Sequence, residues 1–375
     1  MNRKEPLFRV VKRESSSPVR QALAYVAAVV IALLIGAALL SSMDVDPLTF
    51  YQKMVTMGIP GNKFPWRIVE NFVKLFVPLL ITSLALSLAF RMRFWNIGGE
   101  GQFIMGAICA AAAAHKLGPV LPQPLVVLAM ALCGILGGGL YGLIVALLKV
   151  RYNTNETLLT LMLNYIALYL LQFLGETKAG WNFFLDPDSA RPKFAGFPDN
   201  ADMITFPLGP FNLNLSLIIA IVLCVLLFGY LKYTKHGYEI AVVGDSPNTA
   251  RYAGMKVGRI VVRTIFLSAA LIGLAGAFYV SSAGTLSTSV TNDVGWTGIV
   301  VAWLAKLNTV GIVITALLIT VLQFGCQAAS TTYSSIDANF ADLIQGIILF
   351  AVLAADFFTR FRLARRAAAP KEVSK

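Results

Sequence analysis

An all-α polytopic membrane protein of about ten transmembrane helices, with two inverted four-helix repeats that each carry a broken helix, is the fold class this sequence predicts. Three observations lead to it. Of the 375 residues, 57% are hydrophobic and 13% charged, and the mean hydropathy is +0.72; soluble domains carry roughly 25% charged residues. The apolar residues come in runs near the roughly 20 residues that cross hydrocarbon as a helix. Between the runs, Lys and Arg gather in short patches, the pattern that keeps basic loops inside. The net charge of +12 therefore concerns orientation in a membrane, and no soluble basic module suited to nucleic acid is visible.

The same residues narrow the chemistry. Cys109, Cys133, Cys224 and Cys326 each stand alone in apolar runs, without metal or redox spacing, and read as small packing residues. His115 and His236 are far apart, which argues against a histidine metal site. No G-x-x-x-x-G-K-[ST] loop occurs, so any ATP hydrolysis belongs to another chain. No serine–histidine or carboxylate pair forms a catalytic constellation. A non-catalytic chain that binds no cofactor is expected.

Taken in order, residues 1–20 carry Arg3, Lys4, Arg9, Lys12, Arg13 and Arg20 and read as a mobile cytoplasmic tail. The membrane domain then spans 21–358. Its first helix, from Gln21 to Leu40, is too long for a signal-peptide core and is expected to be retained. After Met43, Asp44, Asp46 and Pro47 mark an outer loop. The second helix runs from about Trp66 to Phe90 and ends inside at Arg91 and Arg93. A third ends near His115, with Gly118-Pro119 and Pro122 as the outer turn. The fourth, about Leu125 to Leu148, holds Gly134, Gly137, Gly138, Gly139 and Gly142, a spacing of small residues that permits close helix contact. Asn155 and Glu156 suit the start of the fifth, which carries Asn164, Tyr165 and Gln172 in an apolar frame.

Residues 176–212 form the longest loop. Its acids (Glu176, Asp186, Asp188, Asp199, Asp202) outnumber its bases (Lys178, Arg191, Lys193), which suits an extracytoplasmic position. The sixth helix, about Leu213 to Leu231, returns to Lys232 and Lys235. Residues 234–260 make the largest inner loop. Within it, Asp245 or Ser246 can cap and Pro247 can open a short helix over Asn248 to Ala253, stopped by Gly254. The seventh helix reaches about Val280. A polar stretch leads to Gly295-Trp296-Thr297-Gly298, and the run that follows counts as a broken eighth helix. The ninth (about Val310 to Ala328) and tenth (about Phe340 to Phe358) precede a basic tail, 359–375, that puts both termini in the cytoplasm.

The stretch Asn96-Ile97-Gly98-Gly99-Glu100-Gly101-Gln102 breaks the third helix. Glycine weakens a helix, and a charge in hydrocarbon costs about 2.5–3.5 kcal/mol on insertion scales. Such a segment is tolerated where it is buried in protein or lines a cavity. A tight helix crossing, with Glu100 reaching the cytoplasmic face, is one reading; the lining of a translocation pathway is favoured. The second member of each four-helix block is then the interrupted one, a pointer to a midplane site. Candidate path residues are Asn96, Gly98, Gly99, Glu100, Gln102, Asn164, Tyr165 and Trp296.

Three runs carry a family resemblance: Asn96 to Gln102; Asn155-Glu156-Thr157 through Leu163-Asn164-Tyr165; and Gly244-Asp245-Ser246-Pro247-Asn248-Thr249-Ala250-Arg251-Tyr252-Ala253-Gly254. Together they resemble the permease subunits of the simple-sugar and nucleoside ABC importers, most closely the branch served by basic-membrane-lipoprotein receptors for nucleosides. The similarity spans about residues 66–358. It implies a bacterial inner-membrane importer with two cytoplasmic ATP-binding subunits, which carry ATP and Mg, and a periplasmic or lipid-anchored substrate-binding protein. It also implies a second permease subunit, usually different in that branch. Membrane lipid is the remaining partner. By the same resemblance Gly244, Asp245, Pro247, Ala250, Arg251, Tyr252 and Gly254 belong to the helix that couples to the ATPase. Asn248-Thr249 departs from the Glu-Ala common there.

Nucleosides are the expected cargo. Phe94, Trp95, Tyr165, Trp296 and Trp303 offer flat apolar faces for a base, although aromatics in membrane helices are more often packing or interface anchors. A simple sugar such as ribose or galactose is the alternative within the same architecture. An ion-coupled secondary transporter with Glu100 as the titrating group is a third, weakened by the absence of further buried acids. A purely structural membrane subunit ranks below these.

Overall fold

The computed structural model describes residues 8–12, 17–330, 333, 336 and 338–365. These fall into two compact units. One comprises the chain up to Gly58 together with the chain from Leu322 onward; the other is Ile59–Val321.

In the first unit, strand β1 (Phe8–Lys12) pairs antiparallel with β4 (Phe361–Arg365). The sequence reads residues 1–20 as a mobile tail; within it Phe8–Lys12 is instead a strand and Pro18 opens a helix, while residues 1–7 and 13–16 lie outside the described residues. Between the bases stand Phe8, Val10 and Val11, residue types that favour a strand. In register each base faces an apolar or small residue: Arg9 faces Ala364, Lys12 faces Phe361, Arg362 faces Val11 and Arg365 faces Phe8. Like charges are thereby kept from opposite positions. Helix α1 (Pro18–Ser42) follows, with Ser17 capping it. The expected outer loop contains a helix, α2 (Pro47–Thr56). Asp46 accepts from the Leu48 and Thr49 amides and Pro47 opens the first turn, an arrangement that orphan amides at a helix start favour. Phe50 of α2 is buried with Leu40, Val45, Ala329 and Ile336.

The larger unit is built on α3 (Pro65–Arg91) and α10 (Val257–Ala283), each 27 residues long. The two pack together, and the Ser268 hydroxyl donates to the Ala85 carbonyl at 2.7 Å. Around them lie α4 (Gly99–Leu117), α5 (Gln123–Tyr152), α6 (Glu156–Glu176) and α7 (Leu215–Tyr233). The glycines of α5 act as the sequence predicts. A methyl on Gly138 would lie 2.6 Å from the Ala269 carbonyl oxygen, and one on Gly134 would lie 2.6 Å from Ala277 Cβ. Backbones this close give dispersion contacts that larger side chains would block.

The long loop is ordered against the helix ends. A hairpin of β2 (Thr205–Leu208) and β3 (Phe211–Asn214) closes it. The Phe197 amide donates to the Gly284 carbonyl at 2.8 Å, and Asn200 Nδ2 donates to the Leu121 carbonyl at 2.7 Å.

The expected inner loop is mostly helical: α8 (Lys235–Asp245) and α9 (Pro247–Tyr252) precede α10, which begins six residues before Arg263. Chain order ends with α11 (Val294–Leu304), α12 (Thr309–Ser330) and α13 (Ala338–Arg360). Seven helices among the described residues are long and apolar enough to cross a membrane: α1, α3, α5, α6, α7, α10 and α12. The expected third and eighth helices differ from the sequence reading in one respect. Neither α4 nor α11 is interrupted midway; each begins at its glycine motif. Gly99 and Val294 are their first residues. Eleven residues of α11 rise only about 16 Å, half the thickness of a hydrocarbon core.

Candidate functional site

The starts of α4 and α11 touch. A methyl placed on Gly99 would lie 3.3 Å from Gly295 Cα, and one on Gly295 would lie 2.8 Å from the Gly99 carbonyl carbon. Two backbones approach this closely only where neither residue carries a side chain. Helix starts leave amides without partners and carry partial positive charge. Here both starts lack a cap of their own, since neither Gly98 nor Asp293 makes a side-chain cap bond.

Side chains from other helices supply the caps. Glu100 Oε1 accepts from the amides of Gly295 at 3.0 Å and Trp296 at 3.3 Å. Asn164 of α6 accepts from the Gly101 amide at 2.8 Å and donates to the Ile97 carbonyl at 2.9 Å. Thr160, one turn earlier on α6, accepts from the Ile97 amide at 3.2 Å. The Asn96 and Gln102 amides exchange two hydrogen bonds, at 3.1 and 3.0 Å, and Asn96 Oδ1 also accepts from the Gly98 amide. Buried polar groups are costly unless paired, and these are paired in one connected network.

The structure therefore divides the predicted path residues. Asn96, Gly98, Gly99, Glu100, Gln102 and Asn164 are buried together. Tyr165 and Trp296 are surface groups, 49% and 43% exposed. Trp303 lies seven residues beyond Trp296 on α11 and stacks on Trp95, with ring centroids 5.2 Å apart.

The α8–α9 segment sits on an apolar base. Ile240, Val243 and Ala250 are buried with Ala89, Met92 and Phe94. Ser246 accepts from the Thr249 amide at 3.2 Å, and Gly254 ends the turn at φ +75°, a conformation that side chains disfavour. Gly244 packs directly on the Arg91 carbonyl. Asp245, Pro247 and Arg251 face outward, and Tyr252 is 94% exposed. Arg263 Nη2 meets Glu239 at 2.9 Å, tying α8 to α10. That guanidinium, with His236 beside it, holds the Glu239 carboxyl below the usual carboxylate range.

Residues 68–353 match the family described as the permease component of the branched-chain amino acid transport system. The chain belongs to that family. It is a multi-pass membrane protein. Among similar proteins, the nucleoside ABC transporter permease NupB of Lactococcus lactis is 27% identical, covering 89% of this chain and 91% of its own. The glucose ABC transporter permease TsgB13 of Haloferax volcanii is also 27% identical, over 89% and 88%. The guanosine ABC transporter permease NupP of Bacillus subtilis is 28% identical, over 78% and 82%. No solved structure matches the chain.

Within this permease, Thr160 was missed by sequence reasoning, although a signal existed. Glu156, Thr160 and Asn164 repeat at four residues along α6 and so share one face. Trp95 as the partner of Trp303 had none, because some 200 residues separate them.

Proposed function

We propose that this chain is the membrane-spanning permease subunit of an ABC importer and forms the translocation path for nucleosides across a bacterial inner membrane. The observation that carries this reading is the junction of α4 and α11, two helix starts meeting within a polar network. Discontinuous helices that meet in this way mark permeation sites in transporters. The buried network shapes the path, and the exposed rings of Trp296, Trp95, Trp303 and Tyr165 face the permeant. Stacked indoles suit a flat base, and NupB and NupP are described as nucleoside and guanosine permeases.

On this reading α3–α6 and α10–α13 are the two inverted repeats, each with a helix that starts at a glycine motif as second member, and ten helices cross the membrane. The paired strands β1 and β4 keep both ends on one side, the cytoplasmic one. ATP hydrolysis takes place on separate ATP-binding subunits docked at α9, where Tyr252 stands clear of the chain. A receptor delivers substrate from outside, and a second permease completes the path. Glucose or another simple sugar is the second reading, favoured by the similarity to TsgB13. An ion-coupled mechanism is disfavoured because Glu100 is engaged by two amides.

Uptake of labelled adenosine and guanosine against ribose and glucose, in cells carrying the chain with its partners, tests the proposal. Nucleosides should accumulate in an ATP-dependent manner, and Trp303→Ala should reduce that uptake about two- to tenfold, the scale of one lost stacking contact. Accumulation of sugar alone would overturn the nucleoside assignment.

A further inference from the structure

A cavity of about 1260 Å³ opens between the last turns of α5, the α8–α9 segment and the first turns of α10. Six bases, Arg93, Lys149, Arg251, Lys256, Arg259 and Arg263, and one acid, Glu156, line it. Two of the bases have acidic partners: Lys149 meets Glu156 at 2.8 Å and Arg263 meets Glu239 at 2.9 Å. Among the described residues no carboxylate lies within 4.0 Å of Arg93, Arg251, Lys256 or Arg259. The buried Nε of Arg263 also lacks an acceptor. Like charges gathered around one space repel, and an anion placed among them removes that repulsion.

The surroundings indicate which kind of anion. Leu132, Leu136, Leu140, Ile144 and Leu147 are exposed along α5, at a spacing that forms one helix face. That row runs to Val150, which is exposed and also lines the cavity. Val261 and Phe266 of α10 contribute further apolar wall. A polar anion in solution has no use for such a row, whereas an acyl chain fits it. Basic pockets between membrane helices are the kind of site that holds anionic lipid headgroups.

We propose that this cavity binds the headgroup of an anionic phospholipid, with its phosphate among Arg93, Lys256 and Arg259 and an acyl chain along the α5 row. The lipid sits against α9 and α10 together, so it stiffens the seat of the α8–α9 segment.

The test uses the full chain in neutral detergent, with phosphatidylglycerol or phosphatidylcholine added. Phosphatidylglycerol should raise the unfolding midpoint by about 4 °C or more, and phosphatidylcholine should leave it unchanged. The variant R93Q/K256Q/R259Q should lose more than half of that shift. Native mass spectrometry of the wild type from an equal lipid mixture should show at least about fivefold preference for phosphatidylglycerol, a readout independent of how the variant folds. Equal retention of the two lipids, or a full shift in the triple variant, would overturn the proposal. Inorganic phosphate giving the same shift would make this a site for soluble anions. A glutamate-rich peptide giving it, with phosphatidylglycerol inert, would make it a protein socket; either result also overturns the lipid assignment.

Discussion

Glu100 is buried, yet its carboxylate is not idle: it caps a helix that begins almost 200 residues away. Removing it by Glu100→Ala leaves two amides of α11 without an acceptor, and the expected cost is about 2–4 kcal/mol. Glu100→Gln keeps a carbonyl oxygen in reach and should cost less, with the ratio of nucleoside to sugar uptake unchanged in the surviving protein. Thermal unfolding in detergent alongside uptake measures both; altered selectivity at unchanged stability would show that Glu100 touches the permeant. Glu239 is a different case, lying outside the spanning helices. Its pKa is lowered in the folded chain by Arg263, so its ion pair stabilises at neutral pH and is lost as pH falls through the folded value. The protection of amides 235–252 against hydrogen exchange, taken relative to their intrinsic rates at each pH, should therefore fall as pH drops below the ordinary carboxylate range. In Glu239→Gln that protection should already be low at pH 7 and change little on acidification.

At the scale of elements, α9 joins an outward face to the bundle interior. Ala250 is buried with Met92 and Phe94, and Phe94 stands two residues before Asn96, where the polar network begins. A push on α9 thus has a packed route toward the start of α4, as cores close-packed to native density transmit displacement. Gly254 must keep a positive φ, so Gly254→Val strains the stop by about 1–3 kcal/mol. Both this change and Arg251→Glu, which reverses charge on the exposed face, should abolish transport and ATPase stimulation while the chain still inserts. Co-purification with the ATP-binding subunits and an uptake assay decide this. Survival of both functions in both variants would make α9 a lipid-surface element.

At the scale of the whole molecule, the basic patches and the β1–β4 pair lead to one topology. Cysteines introduced at Asp188 should react with an impermeant maleimide from outside, and those at Arg251 and Arg365 only after the membrane is opened. Outside labelling at 365 would break the ten-helix count and the repeat pairing with it. The two compact units also divide the chain differently from its linear order. The first and last segments of the sequence fold together, as the strand pair does.

The sequence alone determined the class, most of the long helices and several of the places where they stop, but not the helices α2 and α8. Membrane helices are specified by local composition, and caps such as Ser246-Pro247 and stops such as Gly254 act within one turn. It also singled out Asn96 to Gln102, because polar and glycine residues are conspicuous against an apolar run. What those residues do was decided by tertiary structure. Asn96 and Gln102 look like free hydrogen-bonding groups in the sequence, yet they bond each other. Glu100 looks like a lone charge, yet it holds α11. The strand at Phe8–Lys12 was hidden because a strand exists only with its partner, and that partner lies at the far end of the chain. Partners of this kind are chosen by packing across long loops, and no local periodicity encodes them.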